Sequence, residues 1–399
     1  MINRPDYIAA IEPFIDKPLV KILAGIRRCG KSTIFEMLRE ELLRRGIGED
    51  QIVCKRYTEM DIPENITAKQ MYDELTAAMA GKGHCYLLLD EIQEITGWEK
   101  AVNSLLESAD ADIYVTGSNS KLMSSEISTY LTGRYVSIPV YTLSFKEYLD
   151  FKADSTLSRR ELLEEYIRFG GFPIIALSEY DEQSAYQIVN GIYHTVVSRD
   201  IVKRHRINKQ DLFDRVVKFI IENVGKTFSA NSISTFLKSE HRKVSVESIY
   251  NYLRWLEQAF IIYPCERYDL QGKSILKTQE KYYLADVSLK YALLGYNRKM
   301  LDGAMENIVF LELKRRGYDV YIGKNDTKEI DFVAARRDER IYVQVCVQLP
   351  EGSDREVGNL MEIKDHYPKY VVTLNDMDIG IENGIKIVHL QNFLLADTW

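Results

Sequence analysis

The chain lacks any apolar run approaching the roughly 18 residues that a membrane-spanning helix needs, so no membrane partner is expected. Its first residues, Met1-Ile2-Asn3-Arg4-Pro5-Asp6, lack the apolar core of a signal peptide, and the expected location is the cytoplasm. Cysteine is sparse. The five residues Cys29, Cys54, Cys85, Cys265 and Cys346 are scattered, odd in number and without a C-x-x-C pair. That excludes a disulfide framework and leaves reduced, mostly buried thiols as the expectation. The six histidines form no zinc-binding pattern. Net positive charge is missing as well. A formal charge of -7 excludes a chain dominated by nucleic-acid contacts, though it leaves room for a local basic face. What is present is an ordinary globular composition, 46% apolar and 28% charged, over 399 residues, a length that implies two or three domains.

The most specific feature is the run Gly25, Ile26, Arg27, Arg28, Cys29, Gly30, Lys31, Ser32, Thr33, which fits G-x-x-x-x-G-K-[ST], the phosphate-binding loop of nucleoside triphosphatases. It follows a strand-like run, Leu19–Ala24, and precedes a helical pattern over Ser32–Leu43. Glycines let the backbone close around phosphates, and the N–H groups at the helix start supply partial positive charge. In this reading Lys31 reaches the β- and γ-phosphates and Ser32 ligates Mg²⁺. Downstream, Tyr86-Leu87-Leu88-Leu89-Asp90-Glu91 is a buried-strand run ending in two carboxylates. Asp90 would hold the metal through water, and Glu91 would polarise the attacking water as general base.

Helix-like and strand-like patterns alternate up to about Leu149. A strand near Gln51–Tyr57, a helix over Ala68–Met79, the carboxylate strand, a helix over Trp98–Ser108 and a strand over Asp112–Thr116 make a βα repeat. This predicts a parallel sheet with ligand at the carboxyl ends of its strands. Phe145–Phe151, Arg159–Phe169 and Gln183–His205 then read as helices around the break Gly170-Gly171-Phe172-Pro173, a hinge or a plain connection. Helices over Phe213–Asn223, from Phe228 through Lys238, and over Val246–Phe260 precede two strands, Ile261–Arg267 and Gln279–Leu284. Three helices and a hairpin are the winged-helix arrangement. Lys203, Arg204, Arg206, Lys209, Lys218, Lys226, Lys238, Arg242 and Lys243 crowd this region, with Tyr250, Tyr252 and Arg254 on the third helix. DNA-backbone binding through the 203–243 region is one expectation, and intersubunit packing is the other. From about Met305 a third α/β unit follows: a helix over Met305–Arg316, strands over Tyr318–Ile322, Ile330–Ala335, Ile341–Leu349 and Tyr370–Leu374, and a helix over Ser353–Asp365.

The segments G-I-R-R-C-G-K-S-T, L-L-D-E-I-Q, V-T-G-S-N-S, L-T-G-R and G-G-F-P, in this order, resemble the AAA+-type P-loop ATPases of bacteria and archaea that carry a C-terminal domain of unknown function. The resemblance covers almost the whole chain. It implies an ATPase core over 1–143, a helical lid over 144–210, a winged helix over 211–290 and an α/β domain over 300–399 like the PD-(D/E)xK (restriction-endonuclease-like) nucleases. It also implies ATP rather than another nucleotide. Asn119 or Ser118 takes the first sensor position beside the γ-phosphate. Arg134 is the candidate arginine finger, acting in cis or from a neighbouring subunit of a homo-oligomer.

Nuclease chemistry of that kind needs a helix Glu, a strand Asp and a following E-x-K. Here Glu306 and Asp331 fit, but the third element reads Gln344-Val345-Cys346. A neutral Gln is a poor ligand for a hard cation and Cys cannot replace an ammonium, so the domain is expected to be nuclease-like in shape and inactive. Lys364 is one place from which a lysine could act instead. The expectation for the whole chain is a Mg²⁺-dependent ATPase whose hydrolysis moves the winged-helix and C-terminal domains. The alternatives are a nucleotide-controlled DNA- or protein-binding switch with little turnover, and an ATP-gated nuclease acting on foreign DNA.

Overall fold

The computed structural model describes residues 2–58, 66–123, 127, 130–131, 133–207, 209–239, 244–272, 274–350 and 355–399. Arg242 and Lys243 of the basic set, Thr132 of L-T-G-R, and Ser353 and Asp354 of the expected late helix lie outside the described residues. The chain divides into two compact units, Met1–Tyr141 with Gln258–Phe260, and Thr142–Glu257 with Ile261–Trp399.

The first unit is built on five strands: β1 (Val20–Ala24), β2 (Ile52–Arg56), β3 (Cys85–Asp90), β4 (Ala111–Gly117) and β5 (Tyr135–Pro139). They lie in the order β2-β3-β4-β1-β5, and every pairing is parallel. Every residue of β1 and β3 is buried, as expected of parallel strands covered on both faces, which read as continuous apolar runs rather than alternations. The covering helices carry one apolar stripe each. In Trp98–Ser108 it is Trp98, Ala101, Val102 and Leu105, the spacing of one helical face. The exception inside the sheet is Lys21 in β1, fully buried and paired with Asp112 in β4, which also accepts the Tyr114 hydroxyl at 2.5 Å. Parallel pairing sorts the loops. Segments that follow β1, β3 and β4 gather at one end of the sheet, and segments that precede strands gather at the other.

The second unit begins with helices Phe145–Phe151, Arg159–Phe169 and Glu182–Val196, started by Ser144, Ser158 and Asp181, whose side chains accept first-turn N–H groups. The stretch expected as one helix to His205 changes at Val197–Val202 to a wider π-helical turn. Helices Gln210–Glu222, Ala230–Ser239 and Val246–Gln258 follow. Their apolar faces meet in a core that includes Phe213 against Tyr252, with ring centroids 5.2 Å apart. Tyr252 is therefore a packing residue, whereas Tyr250 and Arg254 on the same helix are exposed.

The remaining strands are β6 (Ile262–Asp269), β7 (Ser274–Leu284), β8 (Asp319–Asn325), β9 (Lys328–Arg336), β10 (Glu339–Val345), β11 (Lys369–Thr373), β12 (Gly380–Glu382) and β13 (Ile385–His389). They form one sheet in the order β12-β13-β11-β10-β9-β8-β6-β7. The sequence reading separates the hairpin β6–β7 from the C-terminal strands. In the structure Arg267–Asp269 of β6 pair in parallel with Ile322–Lys324 of β8, so the hairpin is the edge of the C-terminal sheet. The physical reason is that β6 has two edges. The hairpin satisfies the backbone groups of one, and β8 satisfies the other. The helices expected as a lid over 144–210 also lie in this second unit.

Candidate nucleotide site

The loop after β1 is shaped by two glycines. A Cβ at Gly25 would stand 2.0 Å from the Val140 carbonyl oxygen, so only hydrogen fits there. Gly30 has φ 103 and starts the helix Lys31–Arg44 without a side-chain cap, which leaves the first-turn N–H groups uncapped for an anion. Behind the loop lies Arg4, 2% exposed, which donates to the Cys29 carbonyl at 2.8 Å and the Tyr141 carbonyl at 3.1 Å. Sequence reasoning missed Arg4, since no motif marks a lone arginine in the N-terminal segment. Cys29 is buried, and burial pushes its thiol up despite the nearby Lys31 and Arg4, so it is a packing residue of the loop rather than a reactive one. Arg28 sits at φ 67 with an exposed side chain. Thr33 follows Ser32 in the helix's first turn.

The polar side chains of the two motifs converge. Lys31 is buried and its ammonium donates to the carbonyls of Gly25 (2.9 Å) and Ile26 (3.1 Å), inside the loop, and lies 3.8 Å from Glu91. The Ser32 hydroxyl donates to Asp90 Oδ2 at 2.7 Å. The other oxygen of Asp90 accepts the Thr116 hydroxyl. Ser32 and Asp90 are thus adjacent hard oxygen donors, the chemistry that suits Mg²⁺.

Glu91 takes a left-handed backbone (φ 55), with its N–H on the Thr116 hydroxyl at 3.0 Å, and this turns its carboxylate away from the strand. The carboxylate accepts from Ser118 (3.2 Å) and Gln93 and has Arg27 at 3.8 Å. Burial opposes its ionisation, but Lys31 and then Arg27 outweigh burial and hold the carboxyl below its usual range. Glu91 is therefore anionic at neutral pH, as a base must be. Beside it the Gln93 carbonyl oxygen is buried with no hydrogen-bond partner among the described residues, an acceptor suited to water.

Of the two sensor candidates, Ser118 touches Glu91 directly. Asn119 is buried at the same end of the sheet, just past β4. Arg134 is elsewhere. Its carbonyl accepts the N–H of Val20, at the start of β1, and its guanidinium binds Asn103 (2.9 Å) and Glu107 (2.7 Å). It stands at the opposite end of the parallel strands from the phosphate loop, so the reading of Arg134 as a finger for this chain's own site does not fit the geometry. A residue just before a parallel strand must lie at that far end.

In the second unit, Glu306 and Asp331 do come together, and the cation among them is Lys281 of β7 rather than Lys364, which is exposed. The Lys281 ammonium lies 2.9 Å from Glu329, 3.4 Å from Glu306 and 3.9 Å from Asp331, with a side chain 5% exposed. Burial raises the Asp331 carboxyl well above its usual range, with Glu306 adding to it and Lys281 opposing. Gln344 accepts the Asp331 N–H at 2.9 Å and donates to Glu356 at 2.7 Å. Burial pushes the Cys346 thiol up to about 12, which removes it as a nucleophile or charge partner.

Known proteins are similar along the chain. Residues 17–149 match the AAA domain family, and residues 160–299 match a domain of unknown function (DUF8612). An uncharacterized protein of Haemophilus influenzae is 37% identical over 398 residues, 99% of this chain and 99% of its own length. The uncharacterized protein MJ1544 of Methanocaldococcus jannaschii is 32% identical over 376 residues, 90% of this chain and 82% of its own. Among solved structures the Walker-type ATPase PABY2304 of Pyrococcus abyssi aligns at TM-score 0.52 and 15% identity, over 73% of this chain and 96% of that one, a likeness of fold. Among the described residues no helix is long and apolar enough to cross a membrane. The chain belongs to the family of the Haemophilus influenzae protein and MJ1544, and its first unit is an AAA-type ATPase domain on a P-loop fold.

Proposed function

We propose that the chain binds ATP with Mg²⁺ and hydrolyses it. The observation that carries this reading is the convergence at one sheet end of Ser32 on Asp90 (2.7 Å) and Lys31 on Glu91 (3.8 Å), below an uncapped helix start. The bound metal would supply charge neutralisation on the phosphates. Lys31 turns from the loop carbonyls to the triphosphate. Ser32 and Asp90 would hold the metal, and Asp90 is itself held by Thr116. Glu91, kept ionised by Lys31 and Arg27, accepts the proton of the attacking water, and Ser118 and Gln93 fix the carboxylate's direction. Arg27, within the loop, joins Lys31 as a cation of this chain positioned to stabilise transition-state charge, and Arg134 could contribute only from a second copy.

The work of hydrolysis is delivered to the second unit, and DNA is the partner its surface favours. Lys203, Arg204, Arg206, Lys209, Lys218, Lys226 and Lys238 are exposed there, together with Tyr250 and Arg254. The reading is tested by equilibrium binding and turnover of ATP and GTP with Mg²⁺, with and without duplex DNA, beside Lys31→Ala. Turnover of ATP lost in Lys31→Ala supports it, and a salt-sensitive stimulation by DNA supports the partner. Absence of nucleotide binding by the wild type overturns it.

A further inference from the structure

One cation near the metal-holding carboxylate has no part in the reaction described above. β2 pairs in parallel with β3, and the register sets Arg56, the last residue of β2, opposite Asp90. The Arg56 Nε donates to Asp90 Oδ2 at 3.0 Å, the same oxygen that accepts the Ser32 hydroxyl at 2.7 Å. The second oxygen is taken by Thr116. The guanidinium therefore engages the Asp90 oxygen that faces Ser32, the charge that a metal held by these two residues, directly or through water, would draw on. Two positive groups on one carboxylate oxygen repel, so metal and Arg56 compete for it.

Arg56 has somewhere to go. Glu36, on the outward face of the helix that follows the phosphate loop, lies 3.8 Å from its other end. Both side chains line a cleft of about 210 Å³ together with Arg39, Cys54 and Lys55. The Arg56 side chain is 42% exposed, so its pair with Asp90 is screened and worth about 1 kcal/mol or less, weak enough for a divalent cation to displace.

Resting on the ATPase reading, we infer that Arg56 is a positioning residue that holds Asp90 until Mg²⁺ arrives with the nucleotide, and then swings into the cleft toward Glu36. The handover makes metal arrival, rather than nucleotide alone, the event that rearranges the end of β2.

The chain carries its own reporter. Cys54 stands two residues before Arg56 on the same face of β2 and is exposed, while Cys29, Cys85, Cys265 and Cys346 are buried. The experiment follows maleimide labelling of Cys54, and binding of a non-hydrolysable ATP analogue, across a Mg²⁺ titration. It compares wild type, Arg56→Ala and Arg56→Lys, with the analogue in EDTA as the metal-free arm. In the wild type the labelling rate changes with Mg²⁺ and analogue together, but not with analogue in EDTA. In Arg56→Ala that metal-dependent change disappears, and the Mg²⁺ midpoint for analogue binding falls about three- to fivefold, the size of one screened ion pair. Arg56→Lys, which keeps the charge, falls between. An Arg56→Ala midpoint equal to or above the wild-type value overturns this inference alone. A wild type that binds no analogue at any Mg²⁺ concentration overturns the ATPase reading and this inference with it.

Discussion

Replacing Lys281 by Met takes from Glu306, Asp331 and Glu329 the cation they share, and leaves Arg267 3.6 Å from Glu329 alone. Met keeps the length and apolar bulk of the stem, so the change is mainly one of charge. In the native chain, burial opposes the charge on Lys281, but Glu306, Asp331 and Glu329 outweigh it and raise the ammonium's pKa above its usual value. A raised folded value means that its stabilisation is fully present below the unfolded pKa and is lost only as pH rises through the folded one. Removing one partner of a buried ion cluster costs about 3–5 kcal/mol. Lys281 is 5% exposed, Asp331 13% and Glu306 14%, but Glu329 is 33% exposed and partly hydrated. The expected loss is therefore in the lower part of that range, about 3–4 kcal/mol. The deficit should shrink in mildly acidic buffer, because the already raised carboxyls of Glu306 and Asp331 then take up protons and shed their repulsion. Urea unfolding of the full chain, with hydrogen exchange of peptides from β7 and β9, assigns the loss to this unit. A loss below about 1 kcal/mol, or one that grows on acidification, would refute the placement of Lys281 as the cluster's counter-ion.

Three further outcomes are expected. Arg4→Ala removes a buried guanidinium from the Cys29 and Tyr141 carbonyls, so thermal unfolding should register a loss of about 2–3 kcal/mol, and titration should give weaker nucleotide binding. Gly170→Ala sets a Cβ 1.8 Å from the buried Asp286 carboxylate at φ 72, and a loss of at least about 2 kcal/mol should follow in the same assay. Glu91 has a folded pKa below its usual value despite burial, because Lys31 and Arg27 hold it ionised. Its contribution is present above the unfolded pKa and is lost only as pH falls through the lowered one, so a pH–rate profile should have no limb from Glu91 in the neutral range.

The phosphate loop and the carboxylate strand were legible because each is a local pattern. Gly25 through Thr33 and Tyr86 through Glu91 need only their own strand, turn and helix to be recognised. The helices Ala68–Met79 and Trp98–Ser108 have the bounds that their apolar spacing and flanking residues imply. Arg134 does not fit as a finger for this chain's own site, for a reason the sequence already contained. It precedes a strand, and in a parallel sheet that puts it at the end away from the ligand. Lys281 and Arg56 were not legible, because their roles depend on register between strands far apart in the chain. β7 reaches Glu306 and Asp331 because the other strand of its hairpin, β6, pairs with β8, and Arg56 meets Asp90 because β2 runs beside β3. The strand Ile385–His389 was missed. It is short, and its exposed Lys386 breaks the apolar run. The break at Gly170-Gly171, left open in the sequence between a hinge and a plain connection, is a closely fitted turn, with the Gly171 N–H on buried Asp286 at 2.8 Å.

Phosphate release at saturating Mg²⁺ and ATP, from wild type and Glu91→Gln side by side with their nucleotide affinities, tests the central claim most directly. The account predicts steady turnover by the wild type, and in Glu91→Gln comparable affinity with release slowed about 100-fold or more, the loss of a general base. Equal release from both proteins, or tight binding by the wild type with no release, would contradict it, the latter leaving a nucleotide switch.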